Sequence, residues 1–336
     1  MIFILKKNLF LLFLLSSILI LSIQSLATEP ELEEFLYTYK DGQMVKVENI
    51  KETESYRKKP QKTPEWMKDE NWDLWNYESD NLDIHIDEMN NGHALYWIAQ
   101  IYIDEPFQIN SALAYDAYNS GRQTTSTITK NHDGILGINA SAFTFDTGKQ
   151  GGVANQIIIN NGTILNDGET NTQNMCLKWD GTIYSPETLQ TGTDLIYQNV
   201  KASFWFGPCL VKDGQDFFST TFHVNSDSPY PRTAIGMIDT HNYVVVVADG
   251  KGSNGSNGLT QKELVSIFLN LGCTYAFNLD GGGSSALYFK GRLVNKPSDG
   301  QEREVGDIIY FSDILDKNSG PKKDVEISEF SSSLIQ

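Results

Sequence analysis

The chain has 336 residues, of which 40% are apolar and 21% charged, and its formal net charge is −17. That composition is ordinary for a folded globular chain, long enough for two domains or for one large domain with a leader and tails. The acidic balance excludes nucleic acid as a partner and charge-driven docking on anionic lipid, and it requires any anionic ligand to be held by a local pocket of cations or N–H groups.

Residues 1–27 have the layout of a signal peptide: Lys6 and Lys7 form a basic start, Leu9 to Ile23 is almost continuously apolar, and Ser25-Leu26-Ala27 ends on a small residue. An apolar run of roughly 15 residues is short for a membrane span. A secreted or cell-surface protein is expected, with an uncleaved N-terminal anchor as the alternative and no other membrane contact. Residues 28–77 form a charged linker or arm interrupted by Pro60 and Pro64, and Trp66, Trp72 and Trp75 at its end are expected to staple it to the domain. The three cysteines, Cys176, Cys209 and Cys273, sit beside apolar residues and are expected as buried free thiols, with one bridge left open. No HxxxH, HExxH or CxxC spacing supports a zinc site.

Regular structure is expected from Leu82. Alternating Leu82, Ile84 and Ile86, the turn Asn90-Asn91-Gly92 and the run Ala94 to Ile103 predict a hairpin. Ser111 to Asn131 is mixed, with helix expected at Ala112–Ala117. A β meander follows, with turns at Asn160-Asn161-Gly162 and Asp180-Gly181. Pro231 to Gly236 and Tyr243 to Val247 predict a hairpin turned at Asp239 to Asn242, its second strand buried on both faces. A glycine-rich loop, residues 249–258, leads to a helix capped by Thr260 with Glu263 as capping-box partner. Leu264, Ile267, Phe268 and Leu271 give the helix its apolar face, and Gly272 stops it. Strand, helix and strand over residues 243–280 make a βαβ-like unit. The expected class is α+β, a mostly antiparallel or mixed sheet with few helices. Gly250, Gly252 and Gly255 also match a dinucleotide fingerprint, but the helix opens only at Thr260 and Asp280 lies beyond the usual ~20-residue spacing.

The stretch Asn278-Leu279-Asp280-Gly281-Gly282-Gly283-Ser284-Ser285 ends that unit. Consecutive glycines between apolar runs are costly in conformational entropy, and one use for them is close approach of main-chain N–H groups to a small anion. Alternation along the preceding strand places Tyr275, Phe277 and Leu279 on one face and Asn278 with Asp280 on the other. The plainer reading is a tight turn with solvated serines.

This stretch resembles the NLDGGGSS signature of the phosphodiester glycosidase family, relatives of the enzyme that uncovers mannose 6-phosphate. Gly137 to Phe143, Phe204 to Val211 and Pro231 to Gly236 resemble further family motifs. Asn295 to Ser298 and Glu302 to Gly306 resemble its closing segment. The resemblance runs from Leu82 to Phe311 and implies a catalytic domain over residues 78–314, followed by a flexible tail, 315–336. It implies cleavage between a sugar's anomeric carbon and a phosphodiester, in a cell-wall, capsular or exopolysaccharide glycan. The departing phosphate is a weak base, so such a substrate needs less general-acid help than an ordinary glycoside. It needs charge stabilisation on phosphate and a carboxylate near the anomeric carbon.

The expected assignments follow from that chemistry. Asp280 is the first choice for the carboxylate and Asp249 the second, and Arg232 is the leading phosphate cation. Gly281, Gly282, Gly283, Ser284 and Ser285 cradle the phosphate, assisted by Ser253, Ser256 and the helix N-terminus at Thr260. Asn139 and Asn278 orient the sugar. No cofactor is assigned, and a divalent cation is left open. The other readings are a non-catalytic module that binds phosphate-containing polysaccharide, and a phosphodiesterase using a divalent cation held by Asp249 and Asp280.

Overall fold

The computed structural model describes residues 75–143, 157–168, 174–205, 207–218 and 227–313, together with the backbone of a strand pair at Tyr37–Lys40 and Gln43–Lys46. The stretch expected as a leader, Trp66, Trp72 and the expected tail, 315–336, lie outside the described residues.

In chain order the elements used below are β1 (Asn76–Glu78), β2 (Leu82–Asn90), β3 (Leu95–Ile103), β4 (Ile109–Leu113), α1 (Thr125–Asn131) and β5 (Leu136–Asn139). They continue with β6 (Asn174–Lys178), α2 (Gly192–Tyr197), β7 (Val200–Trp205), β8 (Cys209–Lys212), β9 (Gln215–Asp216), β10 (Arg232–Met237) and β11 (Asn242–Ala248). The last are α3 (Gln261–Asn270), β12 (Tyr275–Asn278), β13 (Leu287–Phe289), β14 (Arg292–Leu293) and β15 (Asp307–Phe311). Among the described residues, one sheet of eight strands runs β9-β8-β12-β10-β11-β3-β2-β1 and another of five runs β14-β13-β5-β15-β4. Every pairing in both is antiparallel. The class is α+β, as expected.

Alternation along the strands decides the layers. Ile235, Val245, Val247 and Phe277 of the larger sheet meet Ile138, Leu287, Phe289, Ile309 and Phe311 of the smaller in one buried core. The opposite parity of the larger sheet, Ala234, Val244, Val246 and Ala276, packs against Leu264, Val265, Ile267 and Phe268 of α3. Ile128 of α1 covers Ala112 and Ile308 on the far side of the smaller sheet. The result is four layers, helix, sheet, sheet, helix. Full burial of Val244, Val245, Val246 and Val247 contributes on the order of 1.5–3 kcal/mol per side chain. Gly236 lets α3 press close, because a Cβ there would stand 2.6 Å from Phe268 Cδ1.

The β2–β3 hairpin, the β10–β11 hairpin and α3 form where expected, and Thr260 and Glu263 make a full capping box. The βαβ-like unit is also present, with a strand inside it. β11 and β12 are parallel because each is antiparallel to β10 between them. The helix expected at Ala112–Ala117 is not formed: Ile109–Leu113 is an edge strand paired with β15, and only a single 3-10 turn follows at Ala114–Asp116. The helix of that region is α1, capped by the Thr124 hydroxyl accepting from Thr127 N. The short α2, with its Thr191 and Asp194 capping box, also escaped the sequence reading. All three cysteines are free and buried.

Candidate active site

Strand direction brings distant residues to one end of the two-sheet core. β10 begins where its antiparallel neighbours β11 and β12 end, and β15 begins where β5 ends. Arg232, Asp249, Asn278, Asp307 and Asn139 therefore lie at a common end, with residues 279–286 crossing between the sheets.

The crossing is pinned by Asn139, which is fully buried. Its Nδ2 donates to Asp280 O at 2.6 Å, and its Oδ1 accepts from Thr233 Oγ1 at 2.7 Å and from Ala286 N at 3.1 Å. Asp280 N donates to Ala140 O at 3.0 Å. Asn278 is buried as well, its Nδ2 donating to Gly207 O and Leu279 O. Both asparagines, expected to orient sugar, instead bind main chain and set the loop. The expected pairing of Asn278 with Asp280 on one face does not occur, because β12 stops at Asn278 and the chain turns onto the second sheet before Asp280.

Asp280 is half-buried and accepts hydrogen bonds from the Ser284 hydroxyl and the Gly281 amide. Burial raises its pKa, opposed by those two bonds and by the Arg303 charge. Beneath it, Asp307 accepts Ser141 N at 2.7 Å on one carboxylate oxygen and Ser141 Oγ at 2.6 Å on the other. Burial, and then the negative charge of Asp280, push Asp307 up to about 6 despite the two Ser141 bonds. The charge of Asp280 thus adds to burial in favouring the neutral form of Asp307.

The cation at this pair is Arg303. Its Nη1 donates to Ser284 Oγ at 3.3 Å, and its Nε donates to Asp299 Oδ2 at 2.9 Å. The Arg303–Asp299 pair lies across Gly283, where a Cβ would come within 2.0 Å of Asp299 Oδ2 and 2.2 Å of Arg303 Nη2. The glycine run thus admits side chains over the loop and exposes less bare main chain than expected. The Gly282 amide donates to Pro231 O, and the Ser284 and Ser285 amides to Gly281 O and Gly282 O. Tyr230, 39% exposed, stands beside Gly282 and is flanked by Lys251 Nζ at 4.5 Å and Arg232 Cζ at 5.7 Å from its ring centroid. Ser285 Oγ and Asn278 Oδ1 are buried with no hydrogen-bond partner. Unpaired buried oxygens of this kind mark places for a bound polar group or water.

Several expected assignments are corrected. Arg232 is not the partner of Asp280. Its Nε donates to Leu259 O at 3.1 Å and its Nη2 to Ser228 O at 3.2 Å, and its charge is coupled to Asp227 and Tyr230. The reason is parity: Arg232 lies on the α3 face of β10 with Ala234, whereas Thr233 points between the sheets. The N-terminus of α3 is closed to phosphate, because Asp227 already accepts Gln261 N at 2.7 Å and Lys262 N at 3.0 Å. Asp249 is buried and accepts from Asn254 Nδ2, Asn295 Nδ2 and Lys296 N, which tie two loops together. Burial raises it to about 6. Ser256 Oγ donates to Asp249 O and Ser253 Oγ to Lys296 O, so both serines serve the same loops. A divalent cation on Asp249 and Asp280 does not fit these donors. Three N–H groups already converge on Asp249, and no cluster of three or more His, Cys, Asp or Glu suited to a metal exists among the described residues.

The two sheets thus bring two carboxyl groups, an arginine and a glycine turn together at one end, acid–base groups beside a cation suited to an anion. The comparisons make the class specific. The phosphodiester glycosidase family model matches residues 132–312, and the chain belongs to that family. It is 32% identical over 199 residues to the SPbeta prophage-derived protein YomE of Bacillus subtilis (strain 168), covering 57% of this chain. That match spans only 30% of YomE. The fold is shared with the catalytic domain of zebrafish N-acetylglucosamine-1-phosphodiester alpha-N-acetylglucosaminidase, at a TM-score of 0.56 and 17% identity, over 70% of this chain and 83% of that one. Among the described residues no helix is long and apolar enough to cross a membrane.

Proposed function

We propose that the protein is a hydrolase that cleaves the C1–O bond of a sugar 1-phosphodiester, acting outside the cell on a cell-wall, capsular or exopolysaccharide glycan. The observation that carries this reading is the convergence of Asp280, Asp307 and Arg303 on one glycine turn. Arg303 and the Ser284 hydroxyl hold the phosphate, for which Arg303 exchanges its bond to Asp299. Asp280, the more accessible acid, acts at the anomeric carbon as base, nucleophile or electrostatic stabiliser. Asp307 lies behind it, anchored on Ser141, as a positioning group. Water supplies the new oxygen at C1, the C1–O bond breaks, and the phosphomonoester departs with the electron pair. Because that leaving group is a weak base, one carboxyl pair and one cation suffice.

The test is hydrolysis of N-acetylglucosamine 1-(methyl phosphate) in oxygen-18 water. Release of unlabelled methyl phosphate supports C1–O cleavage, because the sugar's anomeric oxygen exchanges with water on its own, and label on phosphorus moves the reaction there. Binding without release of reducing sugar leaves a glycan-binding module. Asp280→Asn is expected to lower kcat by at least about a hundred-fold with the melting temperature within a few degrees of wild type. Retained turnover removes Asp280 from the chemistry.

A further inference from the structure

β4 is the outer strand of the five-stranded sheet, and the flank it leaves open is lined by two adjoining hollows. The first touches Asp307, Ser141 and Phe143. The second has a volume of 340 Å³, within the range of small-molecule pockets, and its walls include Phe107, Asn160, Asn161, Lys201 and Tyr310. Leu113 borders both. In the β4–β15 register Asp307 faces Leu113 and Tyr310 faces Asn110. Three residue steps at ~3.4 Å place the second hollow about 10 Å from Asp307 along the strand. That is too far for the phosphate being cleaved and within reach of the next unit of a chain.

Lys201 in its wall is 3% exposed. Its ammonium donates to Ile109 O at 3.0 Å and to Asn110 Oδ1, and stands 5.3 Å from the centroid of the Trp179 ring. Among the described residues it has no acidic partner, and burial lowers its pKa to about 8. Two neutral acceptors and a ring face meet this ammonium, but no counter-ion does, and a buried cation so placed is costly unless an anion meets it. The carboxylate on the rim, Asp116, is paired with His132 Nε2 at 2.9 Å. The remaining wall offers amide groups and aromatic faces, which suit sugar hydroxyls and ring C–H surfaces.

We propose that this hollow is a distal subsite for the neighbouring phosphate-bearing unit of a polymeric glycan, with the Lys201 ammonium on its phosphate while the scissile junction lies at Asp280. The inference rests on the hydrolase reading and narrows its substrate to chains that repeat the sugar-phosphate unit.

Steady-state kinetics of wild type, Lys201→Met and Asn161→Asp are compared on N-acetylglucosamine 1-(methyl phosphate) and on a synthetic trimer of phosphodiester-linked N-acetylglucosamine. Asn161 is exposed, so its replacement adds a negative charge to the wall without touching the core, and it serves where Lys201→Met fails to fold. Each variant is expected to raise KM for the trimer about ten-fold, the worth of one charge-assisted contact, and to leave the monomer unaffected. Equal losses on both substrates, or none on the trimer, overturn the subsite. If wild type cleaves neither compound, the hydrolase reading falls and the subsite is judged by calorimetric binding of the trimer. Weaker binding by the variants sustains it, and equal binding, or none by wild type, overturns it.

Discussion

Asp307→Asn separates the stability of the acid pair from its function. In the folded protein burial and Asp280 lift the Asp307 carboxyl from 3.8 to about 6. A raised carboxyl pKa means that the folded state holds the proton more tightly than the unfolded chain does. Its contribution to stability is therefore complete below about pH 4 and is lost as pH rises through about 6. Just over two pKa units at 1.36 kcal/mol each correspond to roughly 3 kcal/mol between those limits. An asparagine carries no charge to desolvate, but it changes the two bonds to Ser141, whose hydroxyl must turn to accept from the new amide. Allowing about half of the gain for that, Asp307→Asn should be more stable than wild type by about 1–2 kcal/mol at pH 7.5. The melting temperature should rise by roughly 2–8 °C, and the advantage should disappear near pH 4. Asp249, also raised to about 6, titrates in the same window, so the measurement is the difference between variant and wild type in urea unfolding at pH 4 and pH 7.5. Turnover of the sugar phosphodiester should fall about a hundred-fold or more in the same variant. A variant destabilised equally at both pH values would show Asp307 to be an anchor for Ser141 whose charge is no burden where it lies, and the burial argument would fail.

Arg303→Lys should raise KM for a sugar 1-phosphodiester about ten-fold, because an ammonium lacks the planar fork that holds Ser284 and phosphate together once Asp299 is released; unchanged kinetics remove it as the phosphate cation. Asp299→Asn should act oppositely and lower KM by releasing Arg303, which a titration with inorganic phosphate as competitive inhibitor also reads. Gly283→Ala places a methyl group against the ends of two flexible side chains, so it should cost less than about 1 kcal/mol in unfolding while weakening phosphate inhibition. Asn139→Ala removes three buried hydrogen bonds and should cost about 2–4 kcal/mol; a loss confined to KM with wild-type stability would restore it as a sugar ligand.

Much of the fold was legible because it depends on local chemistry. The turns Asn160-Asn161-Gly162 and Asp180-Gly181, the Thr260 cap and the valine run of β11 each carry their own signal. The region from Ser111 to Asn131 misled because Ala112 and Ala114 suit a helix by composition, whereas β15 claims that stretch as its edge partner, a tertiary preference that propensity does not contain. The site was legible as a place and not as a constellation. The glycine run located Asp280, but the choice between Arg232 and Arg303 depends on which face of a strand each partner occupies. A single residue of parity turns Arg232 toward α3. The same rule would have found Asp307. In the run Asp307 to Phe311 it shares parity with Ile309 and Phe311, which fill the inter-sheet core, so a carboxylate was due to point where only apolar groups belong. A strand that directs an acid into a core is anomalous from sequence alone. Under the proposed reading that acid is the positioning partner of Asp280, which is why the pH-dependent stability of Asp307→Asn bears on the chemistry as a rate does.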